Sequence, residues 1–277
     1  MRNTAQAESV REELVTEARA IRLLPSLNTV TSQLLQVMND PHSSFTQLVD
    51  IARYDQAFSG KIMSIANSAL YSRSCKILSL QRALQVIGFE ELRGILICLT
   101  LLQDILKQWR LSQADLAAIW THSLSVSCAA RVLSSRLMVG DPEEVFTVAI
   151  LHDIGKGVFY TRGDQYRDLV KEARETGRDL CRLERVVFGI DHQEVGNFIA
   201  TKWRFPEELA VVIRGHHEKA DGKTTLIHLV RTADAFMDDR DVDLNGEGVV
   251  LEREKESISS EVRRISELLG VTVDASP

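Results

Sequence analysis

Apolar residues recur at three- and four-residue intervals along almost the whole chain, and no segment shows convincing alternation of apolar and polar residues with β-branched enrichment. A period near 3.6 turns one face of a helix to a core, whereas a half-buried strand needs a period of two. The expected class is therefore all-α. Val10, Leu14, Val15, Ala18 and Ile21 mark a first helix from Val10 to Leu23, stopped at Pro25 because the residue before proline is pushed out of helical geometry. A second spans Asn28 to Met38 and ends at the turn signal Asn39-Asp40-Pro41. Ser44 caps a third, to about Arg53, with Gln47 three residues on as its capping-box partner. Ala57–Ala69, Leu80–Ile87 after the Ser79 cap, Glu90–Trp109 and Ser112–Met138 follow, with Gly88 as punctuation. Gly140-Asp141-Pro142 turns the chain into a helix over Glu143–Tyr160. Gln165–Thr176, Leu180–Phe188, His192–Trp203, Pro206–His217, Thr224–Met237 and Glu252–Leu269 complete the set. The acidic, glycine-containing stretch Asp238–Gly248 reads as a surface loop.

A chain of 277 residues, 44% hydrophobic, can bury a full core in one or two domains. A soft boundary near residue 110 divides a metal-free half, 1–110, from a histidine-bearing half, 111–277. The long apolar helices around it suggest two abutting helical subdomains with a shared core. The 33 Lys and Arg against 39 Asp and Glu give a net charge of −6, which argues against a nucleic-acid partner, since such partners usually need a basic face. Cys75, Cys98, Cys128 and Cys181 show no CxxC spacing and lie in or beside apolar segments, as reduced thiols of a cytosolic protein do. The polar, acidic N-terminus is neither a signal peptide nor an anchor, and the longest apolar stretch, Ile95 to Leu102, is far short of a bilayer span. The expectation is a cytoplasmic protein with no membrane association. Trp109, Trp120 and Trp203 are expected in the core, and no GxGxxG or P-loop is present.

Five of the seven histidines fall in one ordered series with two aspartates: His122, His152-Asp153, His192, His216-His217 and Asp234. His42 and His228 look incidental. One histidine on an apolar helix is ordinarily a satisfied core residue, but here several need explaining together. His152-Asp153 follows the apolar run Val148-Ala149-Ile150-Leu151, and a buried acid beside an imidazole is costly unless both find partners. His216-His217 closes a helix with the body Leu209-Ala210-Val211-Val212-Ile213, and Asp234 lies within the apolar stretch Ile227–Phe236. Helical bundles build metal sites from such side chains on inward-looking faces. The set is rich enough for one or two divalent transition metals, with Fe, Mn or Ni before Zn because imidazole and carboxylate are present without thiolate.

Ala149-Ile150-Leu151-His152-Asp153-Ile154-Gly155-Lys156 resembles the HDxGK core of the HD superfamily of metal-dependent phosphohydrolases. Gly189-Ile190-Asp191-His192-Gln193-Glu194-Val195-Gly196, followed by Trp203 and Pro206, resembles the next ligand helix of its HD-GYP and HDOD branches. His216-His217-Glu218-Lys219-Ala220-Asp221-Gly222 resembles the start of HHExxDGxGYP, and Asp234 matches the closing aspartate. Leu24-Pro25-Ser26-Leu27, Asp50–Ser68 with Ile65-Ala66-Asn67-Ser68, and Ser79–Arg93 are similar to the HDOD domain, an output module of bacterial signalling. The resemblance covers about residues 15 to 240.

The resemblance implies an HD-type bundle in the second half. In it His122, His152, Asp153 and Asp234 hold one metal, and His192, His216, His217 and a bridging Asp153 hold a second. Asp153 and Lys156 then serve catalysis, with Lys156 stabilising phosphate charge. Two features depart from the active cyclic-dinucleotide phosphodiesterases. Asp221-Gly222 leads into Lys223-Thr224-Thr225 instead of GYP, and Ala118 stands where members with three metals carry glutamate. A third metal is not expected. Two functions follow: a signal-transduction module that keeps its metal site and acts mainly on signalling protein partners, or a phosphohydrolase acting on a nucleotide, cyclic nucleotide or other phosphate ester.

Overall fold

The computed structural model describes residues 2–20, 28–40, 43–68, 71, 76–88, 92, 112–203, 205–218, 225–238 and 247–269, with no strand among them, as the all-α expectation requires. Helix starts follow the expected side-chain chemistry. Ser44 and Gln47 close a capping box at the start of α3 (Phe45–Ala52), and Asp55 caps α4 (Gln56–Ala66). Ser79 caps α5 (Leu80–Ile87), and Ser112 with Asp115 closes a second box on α6 (Gln113–Leu137). Each such oxygen satisfies a backbone N–H that the first turn leaves without an intrahelical partner. Upstream lie α1 (Arg2–Ala20) and α2 (Asn28–Asn39).

α6 is the central strut. By length and composition its Ala114–Leu137 stretch would suit a bilayer. In the fold it packs against α7 (Pro142–Leu151), α13 (Leu226–Met237) and α14 (Glu247–Leu269). A search for unbroken apolar runs passes over it, because Thr121, His122, Ser123 and Ser125 interrupt the run.

The early helices lean on α7 and α6. The Gln56 amide donates to Ile150 O at 2.8 Å, Leu80 N donates to Thr147 Oγ1 at 3.4 Å, and the Trp120 indole donates to Tyr54 O. Asn67, from the Ile65-Ala66-Asn67-Ser68 motif, clips the chain after α4 to the segment before α5: its Nδ2 donates to Ile77 O at 2.9 Å and its Oδ1 accepts from Ile77 N at 3.0 Å. One hydrophobic cluster runs from Leu14 and Leu84 to Ile213 and Ile258. Trp120 and Trp203 belong to it, as expected of core aromatics.

Several sequence expectations are corrected. The single helix over Glu143–Tyr160 is broken: α7 stops at Leu151, turns occupy 152–155, and α8 (Lys156–Phe159) leads into a 3-10 turn, Tyr160–Arg162. His152 N, Ile154 N and Lys156 N each bond three residues back, which tightens the backbone out of the α-helical pattern. α4 ends at Ala66. The last helix starts at Glu247 instead of Glu252, inside the expected loop. Of the expected helix Glu90–Trp109 only Leu92 is described, helical and buried; the remainder with Trp109, the boundary near 110, Leu24–Leu27, His42, Cys75, Cys98 and Asp221–Thr224 lie outside the described residues. Cys128 and Cys181 are buried free thiols.

Leu84 is fully buried on α5, which packs against α3, α4 and α7. Leu84→Ala is expected to cost about 2–5 kcal/mol through lost contacts and a cavity. Urea unfolding measures it as a lower midpoint with an unchanged slope.

Candidate metal centre

Five segments bring the histidine series together. α6 supplies His122, the turn after α7 supplies His152 and Asp153, and α11 (His192–Lys202) begins with His192. α12 (Glu207–Gly215) runs out at His216 and His217, α13 carries Asp234, and Asp238 follows the end of α13. The turn is pressed against α11: a Cβ on Gly155 would meet His192 O at 2.0 Å and Gly196 N at 2.7 Å. Main chain stands on main chain there, so only glycine fits. Gly196 in turn faces Ile213 of α12, where a Cβ would lie 2.7 Å from its Cγ2.

Asp153 is at the middle. Its Oδ1 lies 3.3 Å from His192 Nε2 and 3.3 Å from His216 Nε2. Its Oδ2 lies 3.2 Å from His122 Nε2 and 3.3 Å from His152 Nε2, and also receives the Lys156 ammonium. Asp234 Oδ1 is 3.1 Å from His122 Nε2 and 3.6 Å from His152 Nε2, while its Oδ2 is 3.5 Å from His217 Nδ1. His217 Nε2 approaches His192 Nε2 to 3.1 Å. Two ligand groups result, one of His122, His152, Asp153 and Asp234 and the other of Asp153, His192, His216 and His217, each with its donor atoms within 4.8 Å of one another.

The donor set fits a metal. The Nε2 atoms of His122, His152 and His216 and the Oδ1 of Asp153 are buried and have no hydrogen-bond partner. Leaving such atoms unsatisfied costs free energy that a cation among them removes. The opposite ring nitrogens are engaged: His152 Nδ1 with Ala149 O at 2.7 Å, His216 Nδ1 with Val212 O at 3.1 Å, and His192 Nδ1 with Glu184 Oε2 at 2.7 Å. A proton on Nδ1 leaves the Nε2 lone pair free to coordinate.

The electrostatics agree. Burial opposes charge on His122, but Asp238, Asp153 and Asp234 outweigh it and raise its pKa to about 9. Burial likewise opposes charge on His152, and Asp153 with Asp234 raises it. Burial pulls His216 down. For Asp153, burial is outweighed by His152, Lys156 and His122, which hold its carboxyl well below the usual range. An anionic pocket that raises imidazole basicity also attracts a divalent cation.

The structure thus brings all seven expected ligands into one buried cluster and places Lys156 on Asp153. Sequence reasoning missed Glu184, Gln193 and Asp238. Glu184 resembled a surface charge on α10 (Leu180–Phe188), yet it sits between Cys181 and Phe188 on the buried stripe, and a charge at an apolar-stripe position is the signal that could have found it. Gln193 Oε1 accepts from His217 N at 3.1 Å, and Asp238 Oδ1 lies 3.5 Å from His122 Nδ1. His228, expected to be incidental, joins α13 to the first residue of α14 through Glu247 at 2.9 Å.

The HDOD domain family model matches residues 24–219. The chain belongs to the HDOD family. Its fold is similar to that of the MmoQ response regulator from Methylococcus capsulatus str. Bath, at 20% identity and a TM-score of 0.62, over 91% of this chain and 95% of that one. It is also similar to an HDOD domain protein with unknown function from Geobacter sulfurreducens, at 22% identity and a TM-score of 0.51, over 96% of this chain and 98% of that one. An uncharacterized protein of Treponema pallidum (strain Nichols) is 21% identical over 202 residues, 70% of this chain; the HDOD chain spans 37% of that relative's length. At these identities the likeness to the solved structures is one of fold.

Gly155→Ala forces the turn away from α11 and drags Asp153 off His192. The expected outcome is a lower melting temperature and less bound metal than in the parent, read by calorimetry and elemental analysis. A variant with parental values for both would contradict the packing argument.

Proposed function

We propose that this HDOD chain is a cytoplasmic signal-transduction module whose histidine-bearing half holds a two-metal centre and whose main output is contact with signalling proteins. The observation that carries the metal centre is the two-sided Asp153: one carboxylate oxygen faces His192 and His216, the other His122 and His152. That is the geometry of a bridging ligand between two cations. Membership of the HDOD family supports the signalling role. The Lys223-Thr224-Thr225 sequence in place of GYP weighs against cyclic-dinucleotide hydrolysis as the primary task. Mixed imidazole and carboxylate donors favour Fe, Mn or Ni before Zn.

A second reading rests on one specific observation. Lys156, His122 and His217 are the partly exposed members of the cluster, with side chains 12%, 14% and 11% accessible. Solvent thus reaches a cation and two metal-facing imidazoles of the cluster, which would suit a phosphate ester of a nucleotide or cyclic nucleotide. Metals bound there would act as Lewis acids and lower the pKa of a coordinated water. Lys156 would offset phosphate charge, and Asp153 would keep the two metal positions adjacent.

Elemental analysis of protein purified without chelator tests the centre. One or two transition-metal ions per chain are expected, and Asp153→Ala is expected to lose most of them; full occupancy in that variant would remove the bridging role. Activity is tested with cyclic dinucleotides, cyclic mononucleotides, nucleotides and generic phosphodiesters, with Mn or Fe added. The expected outcome is little or no turnover with the centre filled. Turnover on the order of 1 s⁻¹ or faster, abolished by His152→Ala, would make the phosphohydrolase the primary function.

A further inference from the structure

Resting on the metal-centre reading, we propose that Glu184, held in place by Tyr166, is the positioning residue of the Asp153, His192, His216 and His217 pocket and sets its metal affinity separately from that of the other pocket. Glu184 is fully buried on α10, and both of its carboxylate oxygens are used. Oε2 accepts from His192 N at 2.9 Å and from His192 Nδ1 at 2.7 Å; Oε1 accepts from Tyr166 OH at 2.6 Å. A buried carboxylate is expensive, and no lysine or arginine pairs with it among the described residues. Its charge is directed at one imidazole. That hydrogen bond fixes the His192 tautomer and aims Nε2 at Asp153 Oδ1, 3.3 Å away.

The other imidazoles are braced differently. His152 and His216 turn Nδ1 to main-chain carbonyls, which are neutral. His122 faces Asp238, a side chain 30% exposed. Of His122, His152, His192 and His216, His192 is the one whose Nδ1 meets a fully buried carboxylate. An anionic partner raises the basicity of a ligating imidazole more than a carbonyl does, so the two pockets differ in their outer support. Tyr166 is itself immobilised: its ring stacks on Phe159 at 5.2 Å and meets Tyr160 edge-on at 4.9 Å. Burial and Glu184 push its hydroxyl pKa well above the ordinary value, so it remains a donor. Cys181 Sγ, 3.9 Å from His192 Nδ1, offers a rival arrangement in which Cys181, Glu184 and His192 hold a separate ion. The short Nδ1–Glu184 bond occupies the nitrogen which that arrangement would need.

The test titrates metal-stripped full-length chain with Mn²⁺ alone, using equilibrium dialysis for affinity and electron paramagnetic resonance for the coupled ion pair. The parent is expected to bind two ions. Glu184→Gln, which keeps the shape and removes the charge, is expected to weaken one of them by about 10–100-fold, leave the other unchanged, and remove the coupled signal at limiting Mn²⁺. Tyr166→Phe should shift the same ion in the same direction by less, and Cys181→Ser should shift neither. Two ions bound at parental affinity by Glu184→Gln would overturn the inference while leaving the two-metal centre intact. Loss of an ion in Cys181→Ser alone would assign the site to the thiol and also overturn it. A parent chain that binds no Mn²⁺ overturns the metal centre, and this inference with it. Should Glu184→Gln fail to fold, Tyr166→Phe decides: selective weakening of one ion supports the proposal, and unchanged binding of both refutes it.

Discussion

Between Gly155 and the first turn of α11 there is no space for a side chain, and the geometry of the whole cluster depends on that contact. With a Cβ only 2.0 Å from His192 O excluded, the turn after α7 settles directly onto the α11 backbone. Two consequences follow. The helix that apolar periodicity would continue past Leu151 breaks at this contact, and its backbone N–H groups bond three residues back instead. The break then swings His152 and Asp153 inward together, so that neighbours in sequence point at the same centre. Gly196 repeats the device one layer on, letting α12 close over α11 and deliver His216.

What the turn assembles is electrostatically demanding. Asp153 and Asp234 are buried among five imidazoles and Lys156. Ionised groups taken out of water need close partners on every side, and one lysine does not satisfy two carboxylates. Protonated imidazoles compensate in part, which is why His122 and His152 are raised, but burial, with the neighbouring His152 adding to it, pulls His216 down. A divalent ion would resolve both tensions, neutralising the carboxylates and taking the imidazoles as neutral ligands. Metal affinity and fold stability are then linked, since the unfolded chain offers no such cage.

The parts of this arrangement that were legible in the sequence are those fixed by local chemistry. Ser44 with Gln47, and Ser79, mark helix starts because a capping oxygen acts within three residues of itself. The histidine and aspartate series was legible because His152-Asp153, His216-His217 and Asp234 each end or interrupt an apolar stretch. The rest depends on contacts made at long range. Nothing within residues 143–160 announces that Gly155 must meet α11, and periodicity alone carries the helix straight through. Glu184 has arginines on α10 on either side of it, and its burial becomes visible only once α10 lies beside Tyr166 and His192. Glu247 reads as loop until His228 on α13 engages it. α6 looks membrane-like by hydropathy because its apolar faces are shared among three helices of its own fold.

α7 ties these levels together. Its last turn accepts from the early helices through Ile150 O and Thr147 Oγ1, and the next residue beyond its end is His152. Its body is almost wholly buried from Val145 to Leu151, so it moves as a unit or not at all. The helix that ends at His152 is therefore the same rod that seats α4 and α5.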